Sequence, residues 1–129
     1  MEFPLRAALL AWLAADPLLA AQLNAVTEEA PSRTALPWLA VAASASADWS
    51  AKEVTGREVR VALELHCRGD QPDAAAALVA AIEARIATLP SAQAGLQVVT
   101  VTFLRARAEM RSANTRAVLL EYRFRVLAG

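Results

Sequence analysis

The sequence predicts an α+β fold of two layers, a mixed or antiparallel sheet of about four strands with two helices packed on one face. Three observations carry this. Apolar residues recur at helical spacing in two segments, Leu5 to Leu13 and Ala75 to Leu89. From Val59 to Cys67 they alternate with their neighbours, the period of a strand with one covered face. Two long strand-like runs then end the chain, Leu96 to Ala106 and Thr115 to Leu127, joined by a short connection that favours antiparallel pairing.

In chain order, Pro4 sits where a helix tolerates proline, because the missing N–H of a first turn has no partner anyway. Leu5, Leu9, Trp12 and Leu13 then form the apolar stripe of the first helix. Asp16-Pro17 reads as a stop and restart, with Asp16 capping a second short turn that carries Leu18, Leu19 and Leu23. Asn24 to Pro37 holds Pro31, Ser32 and Pro37 and reads as a loop, with at most a short strand around Val26. Pro37 to Ala43 reads as a strand through Trp38, Leu39 and Val41, and the small polar stretch Ser44 to Gly56 around Trp49 as a loop.

Val59, Val61, Leu63, Leu65 and Cys67 give the next strand its apolar face, and Gly69-Asp70-Gln71-Pro72 ends it. Pro72 and Asp73 open a second helix, in which Ala75, Leu78, Val79, Ile82, Ile86 and Leu89 share one face before Pro90 stops it. At 1.5 Å per residue that helix is roughly 27 Å long, enough to cross a small sheet. A turn around Gly95 leads to the strand Leu96 to Ala106. Ala108 to Asn114 reads as a polar connection. In the final strand Val118, Leu120, Tyr122, Phe124 and Val126 line one face, and Leu119, Glu121, Arg123, Arg125 and Leu127 the other.

Composition removes several functions. The 129 residues suit one domain, and 57% of them are apolar, which excludes a disordered chain. Thirteen basic side chains balance thirteen acidic ones. That argues against a nucleic-acid binder, which needs a basic excess, and against a polybasic membrane surface. One cysteine excludes a disulfide framework and cysteine-based metal centres, and a single histidine removes most others. A mean hydropathy of +0.34 is high for so small a domain and points to surface covered by other subunits. The uncharged run Ala7 to Ala15 has the length of a signal-peptide core, but Glu2 and Arg6 precede it and Asp16-Pro17 interrupts the apolar stretch. The expectation is a soluble intracellular protein.

Catalytic chemistry is absent from the pattern. His66 and Cys67 are adjacent on a strand, so they face opposite ways and cannot act together. Cys67 falls in the apolar set and reads as core. Glu28-Glu29 lies on an expected loop with no histidine near it and reads as a solvated acidic turn. No phosphate loop, GxSxG, HExxH or CxxC occurs, and the four glycines are far apart. The reading therefore names no catalytic, cofactor-binding or metal residue.

What remains is a candidate interface: Asp48, Trp49 and Lys52 in the middle loop, and Arg105, Arg107, Arg111, Arg123 and Arg125 on the last two strands. Trp49 either anchors a partner or folds back onto the core. Between Arg105 and Arg125 there are six arginines against two acids, whereas residues 1 to 64 carry eight acids against five bases. Such asymmetry suits a head-to-tail contact that closes as a ring, while the plainer reading has Arg123 and Arg125 decorating a solvated sheet face.

The chain resembles the tail-completion (tail terminator) proteins of long-tailed phages and gene transfer agents. The resemblance rests on the leucine-rich opening helix with its Ala15-Asp16-Pro17-Leu18 break and on Pro37-Trp38-Leu39. It continues through a strand, a Gly-Asp turn and an Ala-rich helix from Arg68 to Ile86, and through two C-terminal strands. It implies a single tail-terminator-like domain over residues 1–129 and a structural function with no cofactor. The implied assembly is a homo-hexamer ring that caps the tail tube, ends its polymerisation and joins the tail to the head connector. Implied partners are further copies of the chain, the tail tube protein and a connector or stopper. No membrane is implied, and nucleic acid only as it passes through the lumen. The resemblance also implies assembly in the host cytoplasm and retention in the particle neck. Another neck component, an adaptor or stopper, and a small dimeric α+β ligand-binding domain stay open as alternatives.

Overall fold

The computed structural model describes residues 1–129. Its elements are α1 (Glu2–Ala14), α2 (Pro17–Gln22), β1 (Val26–Thr27), β2 (Trp38–Asp48), β3 (Gly56–Arg68), α3 (Pro72–Ala87), β4 (Ala92–Gln93), β5 (Leu96–Arg111) and β6 (Thr115–Ala128). The strands form one sheet in the order β1-β2-β3-β6-β5-β4. Only β1 and β2 run parallel; every other neighbour is antiparallel. The sheet curls into a half-barrel.

This corrects the expected fold. The molecule is mostly sheet, with six strands instead of about four and three helices instead of two. The stretch from Ser44 is not loop until after Asp48, because β2 runs on along β3 from Ser44↔Val61 to Asp48↔Arg57. Likewise β5 runs through Ala108 to Arg111, paired with Val118 to Thr115 of β6, and leaves only Ser112 to Asn114 as the hairpin tip. Both extensions alternate, as Ala43-Ser44-Ala45-Ser46-Ala47-Asp48 and Ala106-Arg107-Ala108-Glu109-Met110-Arg111, but their apolar positions are nearly all alanine, a weak signal, and pairing with β3 and β6 fixes the strand conformation. The short turn after Asp16 is a true helix, with Asp16 Oδ2 accepting from Leu19 N at 3.0 Å and Pro17 at its first position.

The helices cover one face of the sheet. Leu5, Leu9 and Leu13 of α1, Leu19 of α2 and Ala75, Leu78, Ile82 and Ile86 of α3 are buried. They join Val59, Val61, Leu63, Leu65 and Cys67 of β3 and Val118, Leu120, Tyr122, Phe124 and Val126 of β6 in one core. Full burial of each large aliphatic contributes about 1.5–3 kcal/mol relative to exposure. Trp12 and Arg85 clip α1 to α3: Trp12 Nε1 donates to the Arg85 carbonyl, Arg85 Nε donates to the Trp12 carbonyl, each at 2.8 Å, and the guanidinium lies 3.4 Å from the indole centroid. At Gly56 a β-carbon would stand 2.6 Å from the Trp49 carbonyl oxygen, so only glycine lets the loop close onto the start of β3.

Candidate functional site

The face turned away from the helices is set by alternation. The partners of the core residues on β3 and β6 are Glu58, Arg60, Ala62, Glu64 and His66, and Leu119, Glu121, Arg123, Arg125 and Leu127. Bulges between Phe103 and Arg105 on β5, and between Val41 and Ala43 on β2, keep Arg105, Arg107, Glu109 and Arg111 and Ala43, Ala45 and Ala47 on the same side. The result is a surface of arginine and glutamate with an alanine margin along β2.

The arginines are cross-paired between strands. Near the start of β3, Glu58 Oε1 accepts from Arg125 Nε at 3.2 Å and stands 3.5 Å from Arg123 Nε. In the middle, Arg105 grips Glu121 with Nε at 2.5 Å and Nη2 at 3.2 Å. At the hairpin end, Arg111 bonds both Glu109 and Glu64, and Arg107 bonds Glu109 at 3.1 Å. Hydrogen bonds from Arg107 and Arg111 hold the Glu109 carboxyl below its usual range, and Arg105 does the same for Glu121. Glu109 and Glu121 in turn raise Arg111 and Arg105. Surface pairs of this kind are individually weak, because water screens them, and act more by fixing side-chain positions.

The candidate residues thus fall into two groups. Trp49 and Arg125 come together, with the Arg125 guanidinium 5.6 Å from the indole centroid, and Trp49 is half-buried. Asp48 accepts from Ser50 at 2.6 Å, and Lys52 is exposed without an ion pair. Arg105, Arg107 and Arg111 lie at the middle and far end of the same face, on β5. Half of the local excess of arginine along β5 and β6 is met by Glu58 and Glu64 from β3, residues distant in sequence.

One cluster has no sequence signal. Trp38 stacks on His66 with centroids 4.0 Å apart and planes 10° from parallel, His66 bonds Glu64, and Glu64 bonds Arg111. It depends on the register Trp38↔His66, which links residues 28 positions apart. Cys67 faces the core, where burial raises its thiol pKa. The largest opening is an open cleft of about 540 Å³ on the sheet, floored by Ala43, Ala45 and Ala62 and flanked by Arg60, Arg105 and Glu121. No three His, Cys, Asp or Glu side chains gather in a metal-binding arrangement, and no helix is long and apolar enough to cross a membrane.

Comparison with known proteins adds to this geometry. A family model described as tail completion protein gp17 matches residues 7–127. A chain in a solved structure, the virion of a native gene transfer agent (GTA) particle, superposes with a TM-score of 0.85. The superposition covers 98% of this chain and 96% of that one at 24% identity, a likeness of fold. No curated protein matches.

Proposed function

The chain belongs to the tail completion protein gp17 family, a family of phage tail structural proteins, and from that premise we propose that it forms a ring on the end of the tail tube. The ring stops tube polymerisation and offers its opposite surface to the head connector. The observation that carries the reading is the family match across residues 7–127. The shared fold with a chain of a gene transfer agent virion supports it.

In this reading the single unit of residues 1–129 is a subunit of a hexamer, and its work is geometric. Partners are other copies, the tail tube protein and a connector or stopper; nucleic acid passes through the lumen. Assembly takes place in the host cytoplasm, and the ring stays in the neck of the finished particle. Asp48, Trp49 and Lys52 at one end of the sheet, Arg123 and Arg125 beside them, and Arg105, Arg107 and Arg111 along the far part of the open face make contacts between subunits or with the tube.

Cryo-electron microscopy of purified particles tests the proposal. A ring of six copies at the junction of tail and head, into which this fold fits, is the expected result. Density for the chain elsewhere in the particle, or none in it, would overturn the proposal.

A further inference from the structure

Both long edges of the sheet are open. β4 pairs only with Leu96 and Gln97, and Ser91 covers Val98, so no strand of the chain pairs with the outer edge of β5 from Val99 to Arg111. At the other side β1 pairs only with Leu39 and Ala40, which leaves the outer edge of β2 open from Ala43 to Asp48. Chains that work alone blunt such edges, because unpaired N–H and C=O rows recruit further strands.

The two edges match each other better than either matches itself. On the helix side of β5, Phe103 and Met110 are 46% and 52% exposed. On the helix side of β2, Phe3 is 70% exposed and adjoins the edge through Arg6, which lies over its ring at 5.2 Å and donates to Ser44 at 2.9 Å. On the open side, β5 presents Thr100, Thr102, Arg105, Arg107, Glu109 and Arg111, three arginines to one acid, whereas β2 presents only Ala43, Ala45 and Ala47. Pairing β5 antiparallel with its own copy sets Arg105 against Arg107 when centred on Ala106 and Arg105 against Arg111 when centred on Ala108, and like charges directly opposite are destabilising. Pairing it with β2 sets arginine beside alanine and brings the exposed apolar side chains to one side.

We propose that the outer edge of β5 in one copy adds to the outer edge of β2 in the next, so that the sheet continues from subunit to subunit. Three successive antiparallel pairings, β2–β3, β3–β6 and β6–β5, make β5 run opposite to β2 within one copy. A ring whose axis lies along the strands therefore presents the next β2 antiparallel to β5. The contact is heterologous, joins two different surfaces and repeats around a closed ring. The inference rests on the ring reading and names its interface.

Cysteine pairs test it in assembled particles. Ala43, Ala45 or Ala47→Cys on β2 is combined with Thr100 or Thr102→Cys on β5, all on the open side; the native Cys67 is buried. At least one combination is expected to give oxidised multimers larger than a dimer that collapse on reduction, while the single variants stay monomeric. Intact rings with no cross-link in any combination would overturn the edge pairing alone. Dimers from Thr102→Cys by itself would also overturn it, by showing β5 against β5. Particles of the unaltered protein without any ring would overturn the ring reading with it. Should the cysteines block assembly, hydrogen exchange on the unaltered protein decides. Amides of both edges must slow by about tenfold or more between free and assembled chain, and unchanged exchange at either edge refutes the pairing.

Discussion

The guanidinium of Arg125 stands 5.6 Å from the centroid of the Trp49 indole while its Nε donates to Glu58 at 3.2 Å, so one side chain ties the loop after β2 to the pairing of β3 with β6. Arg123 reaches the same carboxylate at 3.5 Å. The candidate surface is held in place by these cross-strand contacts more than it is stabilised by them. Replacing Arg123→Glu and Arg125→Glu together gathers three carboxylates at this point. The variant is expected to keep its far-ultraviolet circular dichroism, lose about 1 kcal/mol of stability, and assemble poorly into particles. Particle titre and ring yield check it; unaltered assembly would remove this patch from the interface.

The clip between Trp12 and Arg85 predicts a stability effect with no bearing on the open face. Arg85→Ala removes the hydrogen bond to the Trp12 carbonyl and the contact over the indole, both beside half-buried groups. Urea denaturation is expected to show a loss of about 1–2 kcal/mol, with Arg85→Lys recovering only part because it lacks the planar fork.

At the tip of the β5–β6 hairpin, Ala113 has φ +59° and Asn114 φ +52°. Asparagine tolerates the left-handed region; alanine is strained there. Ala113→Gly should therefore raise stability by about 0.5–1 kcal/mol despite the extra freedom it gives the unfolded chain. A drop in melting temperature would contradict this.

Tyr122 makes stability depend on alkaline pH. Burial pushes its phenol up to about 12 from an ordinary value of 10.0. The folded chain thus holds a proton that the unfolded chain has already released. Its contribution is complete below pH 10, falls as pH rises, and is lost once pH passes about 12. Tyr122→Phe should flatten this part of the stability profile relative to the unaltered protein, read from denaturation midpoints on either side of pH 10.

The sequence makes the covered half of the molecule legible. Leu5, Leu9 and Leu13, and Val59 to Cys67, announce their elements because the helix layer touches them, and the same is true of Val118 to Val126. What it hides is what no core touches. Ser44 to Asp48 and Ala108 to Arg111 alternate polar residues with little more than alanine, a period too faint to mark a strand until pairing with β3 and β6 is known. The two-residue strand β4 is too short for alternation to register, whereas β1 falls where the sequence allowed a short strand around Val26. Arginine excess along β5 and β6 is visible, but its partial neutralisation by Glu58 and Glu64 is not, because that requires the register of β3 against β6 and a reach across to β5. The stack of Trp38 on His66 is hidden for the same reason, since it depends on the register of β2 against β3.

Deleting the gene in the organism that produces the particles, then viewing them by negative-stain electron microscopy, tests tail termination most directly. The account predicts overlong tubes that are not attached to heads, with normal length and attachment restored by the intact gene in trans. Particles of normal tail length joined to their heads in the deletion strain would contradict it.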